Sequence, residues 1–305
     1  MHNSSHSSRL NPPPAALPAI APGLGHCLRW DGARGWWWWT DGAAGTLHTW
    51  SPDGLHELAC WLAEDAGAFA HCRSGATLLC QAKRLSLAST PDATRARTPR
   101  GWRLQPACAV DAAEPRTSIH EGRTDRSGAF VFGTRNDGVD ARPIGSFYQY
   151  STRHGLRRLA LPAVTVAASI CFSVDGRTLY FADGALPRIL QCDYDAPSGA
   201  VANVRSFADT GALPEGAVID STGALWSAQA GAGRLVQYAS DGRVLQRLAL
   251  PWGAPASPAF GGAALDQLVV GGADGLIRIF TAGASGLHDT LFDDTLFDDT
   301  LFDDG

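Results

Sequence analysis

One short unit recurs along this chain. A turn of the form Asp-x-x-Gly, or a near variant, is followed at once by a run of apolar or aromatic residues. The copies are DGARGWWWWTD from Asp31, RSGATLLCQA from Arg73, DRSGAFVFGT from Asp125, VDGRTLYFAD from Val174, DSTGALWSAQ from Asp220 and GAALDQLVVGG from Gly262. The turn has a mechanism. Asp caps its own backbone, and Gly supplies the positive φ that closes a hairpin. Second hairpins follow several copies, as at Gly45–Gly54, Ser146–Gly155, Ile189–Gly199, Leu235–Gly242 and Leu276–Phe280. A spacing of about 40 to 50 residues with four strands per unit is the mark of a β-propeller. Six copies predict an all-β fold: a six-bladed β-propeller of four-stranded antiparallel blades, spanning residues 21–287. A β-sandwich is the plain alternative, but it demands no regular period.

The rest of the composition agrees. Helix signals are poor: there is one Met, Gly and Pro are frequent, and no long run is apolar at helical spacing. The run Trp36–Trp39 alternates faces in a strand, which predicts core filling and packing between blades rather than a sugar-stacking platform. Residues 1–20 are rich in Ser and Pro and read as a disordered segment. They lack the apolar core of a signal peptide, and no apolar run is long enough to span a membrane. The seven cysteines form no C-x-x-C pair, which fits reduced, buried thiols in a cytoplasmic protein.

The formal charge is −5, and seven Asp fall in 289–305. The body without them is nearly neutral, which argues against nucleic acid as a partner. Residues 288–305 hold the unit DTLFD three times over. A period of five matches neither helix nor strand. It reads as a disordered acidic tail, or as a docking peptide whose Leu-Phe pairs anchor to a partner.

Several stretches together resemble the gluconolactonase, regucalcin and senescence-marker-protein family, in its bacterial sugar-lactonase branch. They are LGHCLRWD from Leu24, WWTDGAAGTLHTW from Trp38, HEGRTDRSGAFVFGT from His120, PIGSFYQYS from Pro143, SICFSVDGRTLYFAD from Ser169, PEGAVIDSTGALW from Pro214 and AFGG from Ala259. The resemblance implies a six-bladed propeller that hydrolyses a sugar lactone with one divalent metal in its central channel. It implies Ca²⁺, Mg²⁺ or Mn²⁺ by its usual hard ligands. At the three ligand positions this chain has His26, Ala168 and Glu215, where the family has Glu, Asn and Asp. Ala168 cannot bind a metal. Glu215 also takes the place of the general base. The substrate-gripping pattern R-x-N-D-G reads Ser118-Ile119-His120-Glu121-Gly122, and Asp137 is the nearest acidic residue after the next strand's Gly-Thr.

Three readings of this pocket stay open. In the first, a lactonase keeps a rebuilt metal site, with His26, Glu215 and also His120 as ligands of Zn²⁺ or Fe²⁺. In the second, a catalytically silent propeller without metal binds a small polar metabolite. In the third, His120 pairs with Glu121 or Glu215 and works without metal. Each pocket residue also has a plain reading: His26 and His120 as hydrogen-bonded structural histidines, Glu121 as a turn cap and Glu215 as a solvated turn residue.

Overall fold

The computed structural model describes residues 19–22, 26–41, 45–52, 57–61, 66–89, 103–272 and 274–297. They form six four-stranded antiparallel sheets. Blade 1 is His26–Asp31, Trp36–Asp41, Thr46–Trp50 and Glu57–Trp61. Blade 2 is Ala66–His71, Thr77–Gln81, Arg84–Ser89 and Arg103–Ala109. Blade 3 is Thr117–Thr124, Phe130–Asn136, Phe147–Ser151 and Gly155–Arg158. Blade 4 is Ala167–Phe172, Thr178–Asp183, Arg188–Asp195 and Ala200–Asp209. Blade 5 is Pro214–Ile219, Leu225–Gln229, Arg234–Tyr238 and Val244–Ala249. Blade 6 is Pro255–Gly261, Gln267–Gly272 and Leu276–Thr281, completed by Ala19–Pro22 from the other end of the chain. That last pairing closes the ring, and its strand starts two residues inside the segment expected to be disordered. Residues 1–18 lie outside the described residues. No helix among the described residues is long and apolar enough to cross a membrane.

The recurring turn does what its residues predict. Asp220 Oδ1 accepts from the amides of Thr222 and Ala224 and from the Thr222 hydroxyl, and Gly223 sits at φ +86°. Its Oδ2 accepts from Trp226 Nε1 and Gln237 Nε2, so a fully buried carboxylate is completely satisfied. Asp125 repeats the pattern with Ser127, Ala129, Gln149 and Tyr194. Each such turn locks an inner strand to the second strand and ties both to the third.

The core lies between the blades. Trp38 packs with Cys27 of its own blade and Phe69 of blade 2, while Trp37 and Trp39 fill the space toward blade 6. All three are at least 97 % buried, as the alternation argument expects. Phe147 meets Phe181 edge-on between blades 3 and 4, and Trp226 meets Phe260 between blades 5 and 6. The inner strands of blades 2 and 3 come so close that a Cβ on Gly67 would lie 2.1 Å from the Ile119 carbonyl oxygen. Gly67→Ala should therefore destabilise the fold by about 1–3 kcal/mol or more, read from chemical denaturation. The six described thiols are all free, and Cys60's side chain lies outside the described set.

The inner strands surround a central channel. Their N-terminal residues meet at one end and their C-terminal residues at the other. The tail crosses the second end, which corrects the expectation of disorder for residues 288–297. The Ser221 amide donates to Ser285 O, and Leu287 packs on the core of blades 4 and 5. Asp289 lies 3.3 Å from Arg123 Nη1 and 3.9 Å from Arg29 Nε. Phe292 is fully buried, stacks on Tyr150 and exchanges backbone hydrogen bonds with His71 and Arg73. Asp293 pairs with Arg73 at 3.0 Å, and Asp294 accepts from the Ser74 amide and hydroxyl. The physical reason is direct. A Phe of this size gains about 1.5–3 kcal/mol on burial, and two buried guanidiniums need an anion. Residues 298–305 lie outside the described residues.

Candidate active site

One local irregularity shapes the channel's first end. Each of the six inner strands slips register against its second strand at the same level, between His26 and Arg29, Ala66 and Ala68, Ile119 and Glu121, Ala168 and Cys171, Pro214 and Ala217, and Ala256 and Ala259. Bulges of this kind bend a strand and re-aim its side chains. Three of them put a non-glycine residue in the left-handed region: Cys27 at φ 53°, Ser169 at φ 60° and Ser257 at φ 47°. Gly216, in the Pro-Glu-Gly corner, takes the equivalent place at φ +109° without strain. Backbone strain repeated around one ring marks a site the rest of the fold holds in place.

The bulges gather His26, Cys27, His120, Glu121, Glu215, Ala256 and Ser257 around one small void. Its volume is about 10 Å³, roughly the room one water molecule needs. The His26 and His120 rings lie 6.1 Å apart, centre to centre. Burial, then the charge of Arg135, lowers both histidines, His120 to about 3, so both imidazoles are neutral at pH 7. Burial, then the charge of Glu121, pushes Glu215 up to about 7. Glu121 is itself raised by burial, against the pull of two backbone amides freed by the bulge. Those are Ser169 N–H at 2.9 Å and Ile170 N–H at 2.8 Å. The Ser169 hydroxyl is buried here with no hydrogen-bond partner.

The structure thus brings together four of the residues singled out in the sequence: His26, His120, Glu121 and Glu215. Ala168 is buried one blade away and offers only a methyl group. Ser118 sits on the strand leading to His120, directly opposite Arg135. Asp137 is exposed and bound to Arg135 at 2.8 Å, so it bears on the pocket only through that arginine. Arg135 is the residue that sequence reasoning missed. It carries its guanidinium on the neighbouring strand, across from the serine that replaces the expected arginine. The one signal for it was its place immediately after Gly133-Thr134.

The divalent ion that the resemblance implies is not matched by this donor set. His26 and Glu215 remain as donors, Ala168 has none, and no three His, Cys, Asp or Glu side chains converge to hold an ion among the described residues.

Residues 24–274 match the SMP-30/gluconolactonase/LRE-like family across most of the propeller. The chain belongs to that family. Among curated relatives, it is 44% identical over 150 residues to an L-arabinolactonase of Azospirillum brasilense, covering 48% of this chain and 50% of that protein. It is 30% identical over 259 residues to a 6-deoxy-6-sulfogluconolactonase of Pseudomonas putida, covering 81% of this chain and 82% of that one. The chain spans about half the length of the first curated relatives it matches, from 50% to 58%. A solved structure with the same fold is the calcium-binding protein regucalcin from Agrobacterium tumefaciens, with TM-score 0.82, 24% identity, and coverage of 93% of this chain and 98% of that one. Within this SMP-30/gluconolactonase/LRE-like family the match runs through all six blades, from Leu24 to Asp274.

Proposed function

We propose that this chain hydrolyses a sugar lactone at the void beside Glu215. The observation that carries the reading is a half-buried carboxylate brought to about 7, set against a water-sized void and two neutral imidazoles. The names of its relatives support the substrate class. A base tuned near the working pH is what water activation needs. Glu215 takes a proton from water as the water oxygen bonds to the lactone carbonyl carbon. The neutral imidazole N–H of His120 or His26 donates to the carbonyl oxygen as negative charge develops there. The ring C–O bond then breaks. The proton held on Glu215 passes to the ring oxygen, and the product is the open hydroxy acid. Glu121, fixed by the Ser169 and Ile170 amides, holds Glu215 in its proton-accepting range, and Arg135 at the mouth orients substrate hydroxyls. Each of these steps uses groups the chain itself supplies.

The second reading, a pocket that binds a small polar metabolite without turnover, is favoured by Ala168, which offers no donor at a position where the resemblance implies a ligand. Proton release from L-arabinono- and D-gluconolactones by the full chain, with and without a chelator, separates the two. Release above the spontaneous rate that survives chelation is the expected result. Saturable binding with no acid release would establish the second reading, and activity restored only by an added ion would mean the steps above are wrong.

A further inference from the structure

The first DTLFD unit, residues 289–293, fills a built seat at the channel's second end. Its Asp289 faces the buried Arg29 and Arg123, its Phe292 enters a closed slot beside Tyr150 and Cys72, and its Asp293 meets Arg73. The seat reads both backbone and side chains: His71 O accepts from the Phe292 amide, and the Arg73 amide donates to Phe292 O. The second unit is held differently. Leu296 is 61% exposed, and Phe297 only leans on the core. Yet residues 294–298 and 299–303 spell the same five letters as 289–293.

We propose that the second end of the channel is a binding site for an acidic Asp-Thr-Leu-Phe-Asp peptide, and that the three tail copies are interchangeable ligands for it. A slip of one unit puts Asp294 on the two arginines and Phe297 in the slot. The displaced unit loops out between Leu287 and Asp294. Lengthening a loop by five residues costs little closure entropy, and every copy is tethered at high local concentration. Identical ligands on one tether therefore compete for one seat on nearly equal terms.

The test is non-additivity of substitutions in the full chain. Phe292→Ser alone should lower the thermal midpoint by no more than about 2–3 °C, although that ring is fully buried, because the next copy takes its place. Phe297→Ser with Phe302→Ser should do as little. All three together should lower it by about 10 °C, as loss of a buried Phe does in a chain of this size. A synthetic peptide, Asp-Thr-Leu-Phe-Asp-Asp, added to the triple variant should restore the midpoint in a saturable way, and a peptide with Ser for Phe should not. If Phe292→Ser alone is as damaging as the triple change, the copies are not interchangeable. If the peptide leaves the triple variant unshifted, the seat is not a peptide site.

Discussion

Glu215→Gln is expected to lower lactone hydrolysis by about 10²–10⁴-fold, the range a positioned general base contributes. The amide keeps the shape of the side chain and removes its basicity. In the unsubstituted chain kcat/KM should rise with pH and level off above about 7, because burial and Glu121 place Glu215 there. The same substitution should act on stability with the opposite sign. The folded-state pKa of Glu215 lies above its unfolded value, so its contribution is full below about 4.5 and is lost as pH rises through about 7. Above that range the buried carboxylate is a burden, and Glu215→Gln should stabilise the fold by on the order of 1–3 kcal/mol. Denaturant unfolding at pH 8.5 reads this directly. An active, destabilised variant would contradict both halves.

His71→Phe is expected to remove much of the loss of stability in acid. His71 lies under the tail in a cavity of about 260 Å³, among Asp31, Arg29, Arg123 and Asp289. Its ring meets Trp38 and Phe69 edge-on, and its Nε2 has no hydrogen-bond partner, so phenylalanine keeps the ring contacts and removes an unsatisfied nitrogen. Burial lowers the ring to about 4, overriding the opposing pull of Asp31 and Asp289. The unfolded chain takes up this proton below about 6.5, and the folded chain does so only near 4. Stability attributable to the neutral ring is therefore full above 6.5 and falls with pH down to about 4. The difference between variant and parent should grow by roughly 1.4 kcal/mol per pH unit over that window, about 3 kcal/mol in all. Denaturant melts of both proteins at half-unit pH steps measure it. A difference that stays constant with pH would show that His71 titrates freely in the folded state.

The propeller was legible because its information is local and repeated. Asp220 to Gly223 carries its own turn chemistry, and six such turns set the period. The candidate site was legible only by position. Glu215, His26 and His120 are marked by where they fall in family motifs, and the structure does bring them around one void. The bulges that aim them were not visible, because a left-handed Cys27, Ser169 or Ser257 follows from packing around the ring, not from residue preference. Arg135 was missed because it lies across a strand pair, 17 residues from Ser118 in sequence but opposite it in register. The tail was misread for a related reason. A five-residue period looks structureless when only self-packing is considered, and Phe292 finds its partners in blades 2 and 3.

The initial rate of acid release from a sugar lactone, measured side by side for the parent chain and Glu215→Gln near pH 7.5, tests the central claim most directly. The parent should open the lactone well above the spontaneous rate, and the variant should fall close to it. A parent indistinguishable from the spontaneous rate, or a variant as fast as the parent, would contradict the account.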